Sequence, residues 1–222
     1  MTDDATDYIA PFALWLVVRR HYCRDGTLFV EPAWVGGGMH LGPAIFVSRI
    51  HAEVYATLRN EHHARGDTNN WHCTPLQAFD LREHVREMDG RLNCQMVFGF
   101  CMDVAGALIV ANGAPLLRYV ELPFEVANDV ERAKFNFNQR VFDFMRLQWA
   151  DIGAAGFEST LDCVDSMEGV ALGRLVRAAL ADVALTHDDH GHSLVGHWAV
   201  YLPDLAQWVG SCVTAHAYST LH

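Results

Sequence analysis

The side chains best suited to chemistry lie in one short histidine-rich segment, residues 187–192. Its possible metal ligands are His187, Asp188, Asp189, His190 and His192. Imidazole nitrogens and carboxylate oxygens bind Zn²⁺ and other divalent ions, and His197 follows in the next apolar run. A segment rich in Asp, Gly and His is also typical of a solvated loop. The segment therefore has two interpretations: a plain loop, or the metal site of a metal-dependent hydrolase with His187, His190 and His192 as ligands.

The cysteines give a weaker indication of chemistry. They are spread through the chain, at positions 23, 73, 94, 101, 163 and 212. A chain of 222 residues can build its own core, so we interpret them as buried thiols in a reducing compartment. A catalytic thiol needs a base within reach and a lowered pKa. Cys73, next to His72 in a polar segment, is the best nucleophile candidate, whereas Cys212 and His216 share an apolar helix face where packing is the better interpretation.

Several common motifs are missing from the sequence. The glycine-rich stretch 36–42 lacks the Gly-Lys-Ser/Thr ending of a P-loop and the Gly-x-Gly-x-x-Gly order of a dinucleotide fold, so we interpret it as a loop. No Gly-x-Ser-x-Gly, His-Glu-x-x-His or EF-hand pattern occurs either. We therefore expect no cofactor, with Zn²⁺ or another divalent metal as the alternative.

The formal charge of −11 is unevenly distributed along the chain. Residues 121–168 carry ten acids against four bases, and residues 1–11 carry three acids and no base. One lysine and scattered arginines do not form the basic cluster that phosphate backbones require, so neither nucleic acid nor an anionic membrane is an expected partner. The acidic block instead suits a basic protein partner, which it would attract electrostatically.

Aromatic side chains accompany the acidic block, at Phe135, Phe137, Phe142, Phe144 and Trp149. Directed inward they form core, whereas directed outward they would anchor a partner among the acidic residues. The candidate binding residues are Glu125, Asp129, Glu131 and Asp143. The main functional hypothesis is a noncatalytic protein-binding protein, of the inhibitor or immunity type, for a basic partner.

The first half of the chain has mainly β signals. Strands are predicted at 12–20, 27–30, 44–47 and 75–79. Residues 94–101, 107–111 and 115–122 predict a three-stranded antiparallel meander, because Asn112-Gly113 favours the positive φ values of a tight hairpin. One helix is expected after Ser48, and a second after Asp80 that ends at Gly90.

The second half has mainly helical signals. Helices are predicted at 128–152, at 165–185 and after Pro203, and strands at 158–163 and 194–202. Residues 135–138 alternate like a strand, so the start of the first of these helices is left open.

These elements predict an α+β fold over residues 1–222, with a possible subdomain division near 124–128. A mixed or mostly antiparallel sheet from the β-rich first half would pack against helices from the second half. The acidic start is unlike a secretion signal, and no apolar run reaches the roughly 20 residues of a membrane span. We therefore expect a cytoplasmic protein without membrane association.

Overall fold

The computed structural model describes residues 8–22, 25–37, 40–62, 70–126, 130–188 and 196–212. The helices within these ranges are α1 (Arg49–His62), α2 (Leu81–Glu87), α3 (Gln139–Asp151), α4 (Phe157–Asp165) and α5 (Gly169–Ala181). The strands are β1 (Tyr8–Ile9), β2 (Trp15–Tyr22), β3 (Leu28–Pro32), β4 (Trp34–Val35), β5 (Gly42–Phe46), β6 (Trp71–Pro75), β7 (Arg91–Met102), β8 (Leu108–Ala111), β9 (Ala114–Pro115), β10 (Leu117–Glu125), β11 (Phe135–Asn136), β12 (Leu185–His187), β13 (His197–Leu202) and β14 (Gln207–Cys212). None of these helices has the length and apolar character needed to cross a bilayer.

Strand β7 is the centre of the main sheet. Along one edge β10 runs antiparallel to it, and β8 meets its end through the pair Met102 and Leu108. Along the other edge β5 pairs with the middle of β7 in parallel, and β13 pairs with its end in antiparallel orientation. The sheet continues from β5 to β2, which also pairs with β3 and β6. The sheet is therefore mixed and mostly antiparallel, and the predicted α+β class is confirmed.

Both faces of the sheet are buried, because alternate residues of its strands enter two different cores. In β2, Leu16 and Val18 lie in the first core, and Trp15 and Val17 lie in the second. Helices α2 and α3 contribute to the first core, and α1 and α5 contribute to the second. Strands that are buried on both faces read as continuous apolar runs, which explains the strong β signals in the sequence.

His51 joins α1 to the hairpin of β13 and β14. Its Nε2 accepts a hydrogen bond from the backbone N–H of Tyr201 at 3.1 Å, and its ring stacks on Phe157 and Trp208. Complete burial lowers the pKa of His51 to about 3, so the imidazole is neutral at physiological pH. An imidazolium has no free acceptor nitrogen, and the contact therefore depends on the neutral ring.

Several predicted local structures are confirmed. The opening hairpin is formed by β2 and β3. Asn112 and Gly113 have φ values of 51° and 75°, as the predicted tight turn requires. The Asp80 carboxylate accepts a hydrogen bond from the backbone N–H of Arg82 at 2.9 Å and caps α2, while Gly90, with φ of 85°, follows the end of that helix.

The predicted strand at 158–163 is wrong, because this segment lies within α4. Phe157, Leu161 and Val164 recur at helical spacing and are all buried. The predicted strand at 75–79 is wrong as well, since β6 ends at Pro75 and a 3-10 turn follows at Leu76–Ala78. In both places a short apolar run fits the periodicity of a helix as well as that of a strand, and contacts with the surrounding structure decide which forms.

The predicted helix after Pro203 is wrong, because residues 203–206 form a turn and β14 returns beside β13. Ala206 has a φ of 49°, which allows this reversal. Trp208 then packs against the second core and Val209 against the first. A strand can place consecutive residues on opposite faces in this way, whereas the predicted helix would use one face only.

The predicted helix at 128–152 begins later than expected. Helix α3 starts at Gln139, and the side chain of Asn138 caps it by accepting a hydrogen bond from the Arg140 N–H at 2.9 Å. Phe135–Asn136 forms β11, which pairs in parallel with β1 outside the main sheet. The strand interpretation of this segment is therefore confirmed.

We predict that Gly42→Ala destabilises the protein, because a Cβ at this position would overlap the backbone carbonyl oxygen of Asn93 in β7. Relief would require β5 and β7 to separate, at a cost of about 1–3 kcal/mol or more. For a chain of this length, we expect the melting temperature to fall by at least about 2 °C. The matched control is Gly169→Ala, which meets open space at the start of α5 and should be neutral or slightly stabilising. Equal melting temperatures for the two variants would contradict this account of the β5–β7 contact.

Candidate functional site

The histidine-rich segment is only partly described by the structure. His187 is exposed at the end of β12, whereas His190 and His192 lie outside the described residues. Within the described ranges, no group of three or more His, Cys, Asp or Glu side chains is arranged to hold a metal ion. The metal site therefore stays a prediction.

The candidate acidic residues that the structure describes are engaged with arginines. The ion pairs are Glu125 with Arg91 (3.6 Å), Glu131 with Arg86, and Asp143 with Arg146 (2.7 Å). The fourth candidate, Asp129, lies outside the described residues. Arginine partners weaken the field that these carboxylates project toward another molecule.

The aromatic side chains beside the acidic block are core residues. Phe135, Phe137, Phe142 and Trp149 are buried, and Phe144 is half-buried against the same core. The indole N–H of Trp149 also donates a hydrogen bond to the backbone oxygen of Phe98 at 3.0 Å. The interpretation of these rings as core is confirmed, so they are not available as anchors for a partner.

The described cysteines are free thiols that differ in exposure. Cys94 is buried and Cys73 half-buried, and burial raises the pKa of both thiols far above the ordinary value. Burial raises the pKa of Cys101 to about 12. Cys163 is exposed, contrary to the expectation of buried thiols. Since only the thiolate is strongly nucleophilic, Cys73 is poorly suited to the nucleophile role considered for it.

A cleft of about 520 Å³ opens where α1, β4 and the β8–β10 segment meet. Its lining contains two arginines, two tyrosines and one tryptophan, together with small and apolar residues. Its aromatic and ionisable side chains are Trp34, Tyr55, Arg59, Cys101, Arg118 and Tyr119. The volume is within the range of about 300–1,000 Å³ that is typical of small-molecule sites.

Arg59 is held on the α1 side of the cleft by aromatic contacts. Its guanidinium carbon lies 3.8 Å from the ring centroid of Trp71, and its Nη1 lies 3.5 Å from the hydroxyl of Tyr55. The neighbouring Asn60 fixes Trp71 by donating to its backbone oxygen at 2.8 Å and accepting from its N–H at 2.7 Å. The cation is thus positioned by a ring that is itself clamped to α1.

Arg118, in β10, also lines the cleft, and its guanidinium carbon lies 6.0 Å from the ring centroid of Phe98. The register between β10 and β7 shifts between Arg118 and Tyr119, which marks a local irregularity in the strand. The Nε of Arg118 is buried and has no hydrogen-bond partner among the described residues. Burial raises the pKa of the Cys101 thiol, and the positive charge of Arg118 offsets part of this increase.

The other ionisable groups in the cleft are held neutral at physiological pH. Burial raises the pKa of the Tyr55 phenol, and Arg59 opposes this increase only partly. Burial likewise raises the pKa of Tyr119, and the nearby Glu121 carboxylate raises it further. Among the described lining residues, Arg59 and Arg118 are therefore the charged side chains at neutral pH.

The sequence contains no local signal for this cleft. Arg59 occurs near the end of a helix and Arg118 within a strand, with no shared motif around them. Only the folded sheet brings the two elements to one cavity. The predicted meander is wrong in its strand order, because it would place residues 107–111 between 94–101 and 115–122, whereas β10 pairs directly with β7. The side of the sheet on which α1 lies was not predicted.

A second group of ionisable residues lies at the junction of β2, α1 and α4. The indole N–H of Trp15 donates to Asp165 Oδ1 at 2.9 Å, and Arg49 lies over the Trp15 ring at 4.8 Å. Arg49 also donates to the backbone oxygens of Asp165 (2.8 Å) and Met167 (3.0 Å). Burial raises the pKa of Asp165 to about 6, with the Trp15 hydrogen bond and Arg49 opposing the increase. These contacts attach the end of α4 to the sheet.

We predict that Asp165→Asn stabilises the protein at pH 8 but much less at pH 5. The pKa of Asp165 is above its ordinary value of 3.8 in the folded state, so stability falls as the pH rises from about 4 through about 6. Asparagine keeps the acceptor for Trp15 and removes the cost of ionisation. Because the side chain is only half-buried, we expect a gain of about 1 kcal/mol at pH 8, or about 2–4 °C in thermal unfolding.

The control for this prediction is Asp151→Asn, which removes an exposed carboxylate at the end of α3 and should change little at either pH. An equal gain for Asp165→Asn at pH 5 and pH 8 would show that ionisation is not the cause.

Comparison with known proteins finds no matching family model, no matching curated protein and no matching solved structure. The contacts and charges of the cleft are therefore the basis for proposing a function.

Proposed function

We propose that the protein is a binding protein whose cleft holds a small anionic ligand with a flat apolar part. The observation that carries this proposal is the charge of the cleft: Arg59 and Arg118 are the charged residues among its described lining, and that lining includes no carboxylate. In a chain of net charge −11, two such arginines in one cavity favour a specific anionic ligand over general surface charge.

The state of Arg118 supports an anionic ligand. A buried polar N–H without a partner costs free energy, and an acceptor group on a ligand would remove that cost. The planar guanidinium donates two parallel hydrogen bonds to a carboxylate or a phosphate. Because Nε is buried, a ligand oxygen would reach this unpartnered atom only if Arg118 turns toward the cleft on binding.

The aromatic lining supports an apolar part of the ligand. Tyr119, which is 38% exposed, offers ring surface, and Leu116 and Leu117 add aliphatic contacts. Flat ligands gain affinity by stacking on such rings and by leaving water. The cleft is thus suited to a molecule that combines one anionic group with one ring.

Binding is better supported than catalysis by the protonation states in the cleft. The raised pKa values of Tyr55, Tyr119 and Cys101 keep these groups neutral. A neutral thiol is a weak nucleophile, and a neutral phenol is not a base. These groups can still donate hydrogen bonds to a bound anion.

The hypothesis of an inhibitor or immunity-type protein for a basic partner has less support at the residues first considered. Glu125, Glu131 and Asp143 each have an arginine partner, and the nearby rings lie in the core. The metal-dependent hydrolase is supported by the composition of segment 187–192 alone. Both hypotheses stay predictions.

Phenyl phosphate and benzoate are suitable probes of the cleft, because each joins an anionic group to a ring. We predict that Arg118→Gln weakens binding of the better probe by about 10-fold or more, since a charge-assisted hydrogen bond contributes about 1.5–3 kcal/mol. Calorimetric titration gives the affinity, and the difference between the two probes distinguishes phosphate from carboxylate recognition.

Two controls accompany this titration. Arg174→Gln removes the same charge from the exposed face of α5 and should leave the affinity unchanged. Benzyl alcohol keeps the ring without the negative charge and should bind much more weakly. Equal binding of benzyl alcohol, or equal affinity of the Arg118 and Arg174 variants, would refute an anion site in this cleft.

A further inference from the structure

Strand β3 is an edge strand whose outward backbone groups are available for pairing. The backbone N–H of Ala33 donates to the Val17 oxygen at 2.8 Å, so these residues form a hydrogen-bonded pair of the β2–β3 ladder. Bonded and non-bonded pairs alternate in an antiparallel ladder, and the register pairs Arg20 with Val30 and Tyr22 with Leu28. The N–H and C=O groups of Leu28 and Val30 therefore point away from β2, and no described strand pairs with β3 on that side.

The side chains along this edge are unusually apolar for an exposed ribbon. Tyr22 is 76% exposed, Leu28 46% and Phe29 40%. Edge strands normally carry charges or prolines that prevent further pairing. In β3 the charged Glu31 and Pro32 both lie at the far end of the strand, so the segment of Leu28 to Val30 stays open to another strand.

A groove of about 310 Å³ lies between this ribbon and α2. Val18, Val30 and Phe79 contribute apolar surface, and α2 contributes Glu83 and Glu87. Both glutamates are exposed. They are four residues apart, so they lie on one face of the helix about 6 Å from each other.

The charges in the groove favour a basic occupant. Asp80 is already engaged by the Arg82 guanidinium at 2.9 Å, which leaves Glu83 and Glu87 with Arg20 as the one arginine or lysine among the described lining residues. The nearest described partner of Glu87 is His84 at 3.0 Å, and none is described for Glu83. The net charge of −11 further attracts cations and repels a second copy of this chain.

We infer that β3 binds an extended segment of another protein with lysine or arginine at alternate positions and apolar residues between them. The segment adds a strand to the sheet by pairing with Leu28 and Val30. Alternate residues of a strand repeat every 6–7 Å, which matches the spacing of Glu83 and Glu87 on α2. The basic side chains then face α2, and the apolar side chains lie on the opposite face beside Phe29. This surface shares no residue with the arginine cleft and does not depend on the function proposed for it.

The test uses a fluorescein-labelled peptide of alternating lysine and valine, titrated into the full chain and followed by fluorescence anisotropy. We expect Glu83→Gln combined with Glu87→Gln to weaken binding about fivefold or more, because two exposed ion pairs are lost. Asp151→Asn combined with Asp162→Asn changes the charge equally on α3 and α4 and should leave the affinity unchanged. Equal effects of the two double variants would show attraction by net charge alone and would overturn the inference.

Strand addition also has a signature that charge attraction lacks. Bound peptide should slow amide hydrogen exchange at Leu28 and Val30, whose N–H groups would become paired. Val30→Pro removes one of these donors without touching the pairs to β2, and it should abolish the protection. Binding without protection at Leu28 and Val30 would overturn the inference, as would protection that appears without peptide and increases with protein concentration.

Discussion

Strand β7 has neighbouring strands along both edges and a buried core on each face, and most of the fold depends on this arrangement. One edge carries β10, the other carries β5 and β13, and the two cores lie above and below. Gly42 shows how tightly the neighbours approach, since even a methyl group there would meet the Asn93 carbonyl. Any shift in β7 would move α1 and β10 relative to each other, and with them the two arginines of the cleft.

Several arginines of this fold lie near buried surface, and aromatic rings contact their guanidinium groups there. Trp71 contacts two of them, with the guanidinium of Arg59 at 3.8 Å and that of Arg19 at 5.0 Å from its ring centroid. Trp15 supports Arg49 in the same way at the base of α4. Ring faces attract cations without fixing their hydrogen bonds, so the outer N–H groups of such an arginine can bind other partners. Arg49 donates to the backbone oxygens of Asp165 and Met167, and Arg59 lines the cleft.

The parts of the fold that were predictable are those set by local chemistry. The turn at Asn112-Gly113 and the cap of α2 by Asp80 depend on the residues at those positions, and contacts with distant parts of the chain are not needed to form them. The segments 158–163 and 207–212 were predicted wrongly because the spacing of their apolar residues fits both a helix and a strand. Packing against the rest of the protein decided which of the two formed. The cleft was not predictable for a stronger reason. Arg59 and Arg118 belong to different elements and share no sequence motif. The acidic composition favoured a site made of carboxylates, which are in fact paired with arginines.

The protein has a negative net charge, whereas the cleft is lined by two arginines, and this contrast determines which ligands the cleft can bind selectively. A chain of charge −11 repels approaching anions, although salt at physiological strength limits this repulsion to about 8 Å. An anion must therefore gain its affinity at contact, from the guanidinium of Arg118 and from the ring surface of Tyr119. A bare ion would lack the second contribution, and a neutral ring would leave the buried Nε of Arg118 without an acceptor. The cleft consequently favours molecules that supply both groups together, which is a stricter requirement than either charge or hydrophobicity imposes alone.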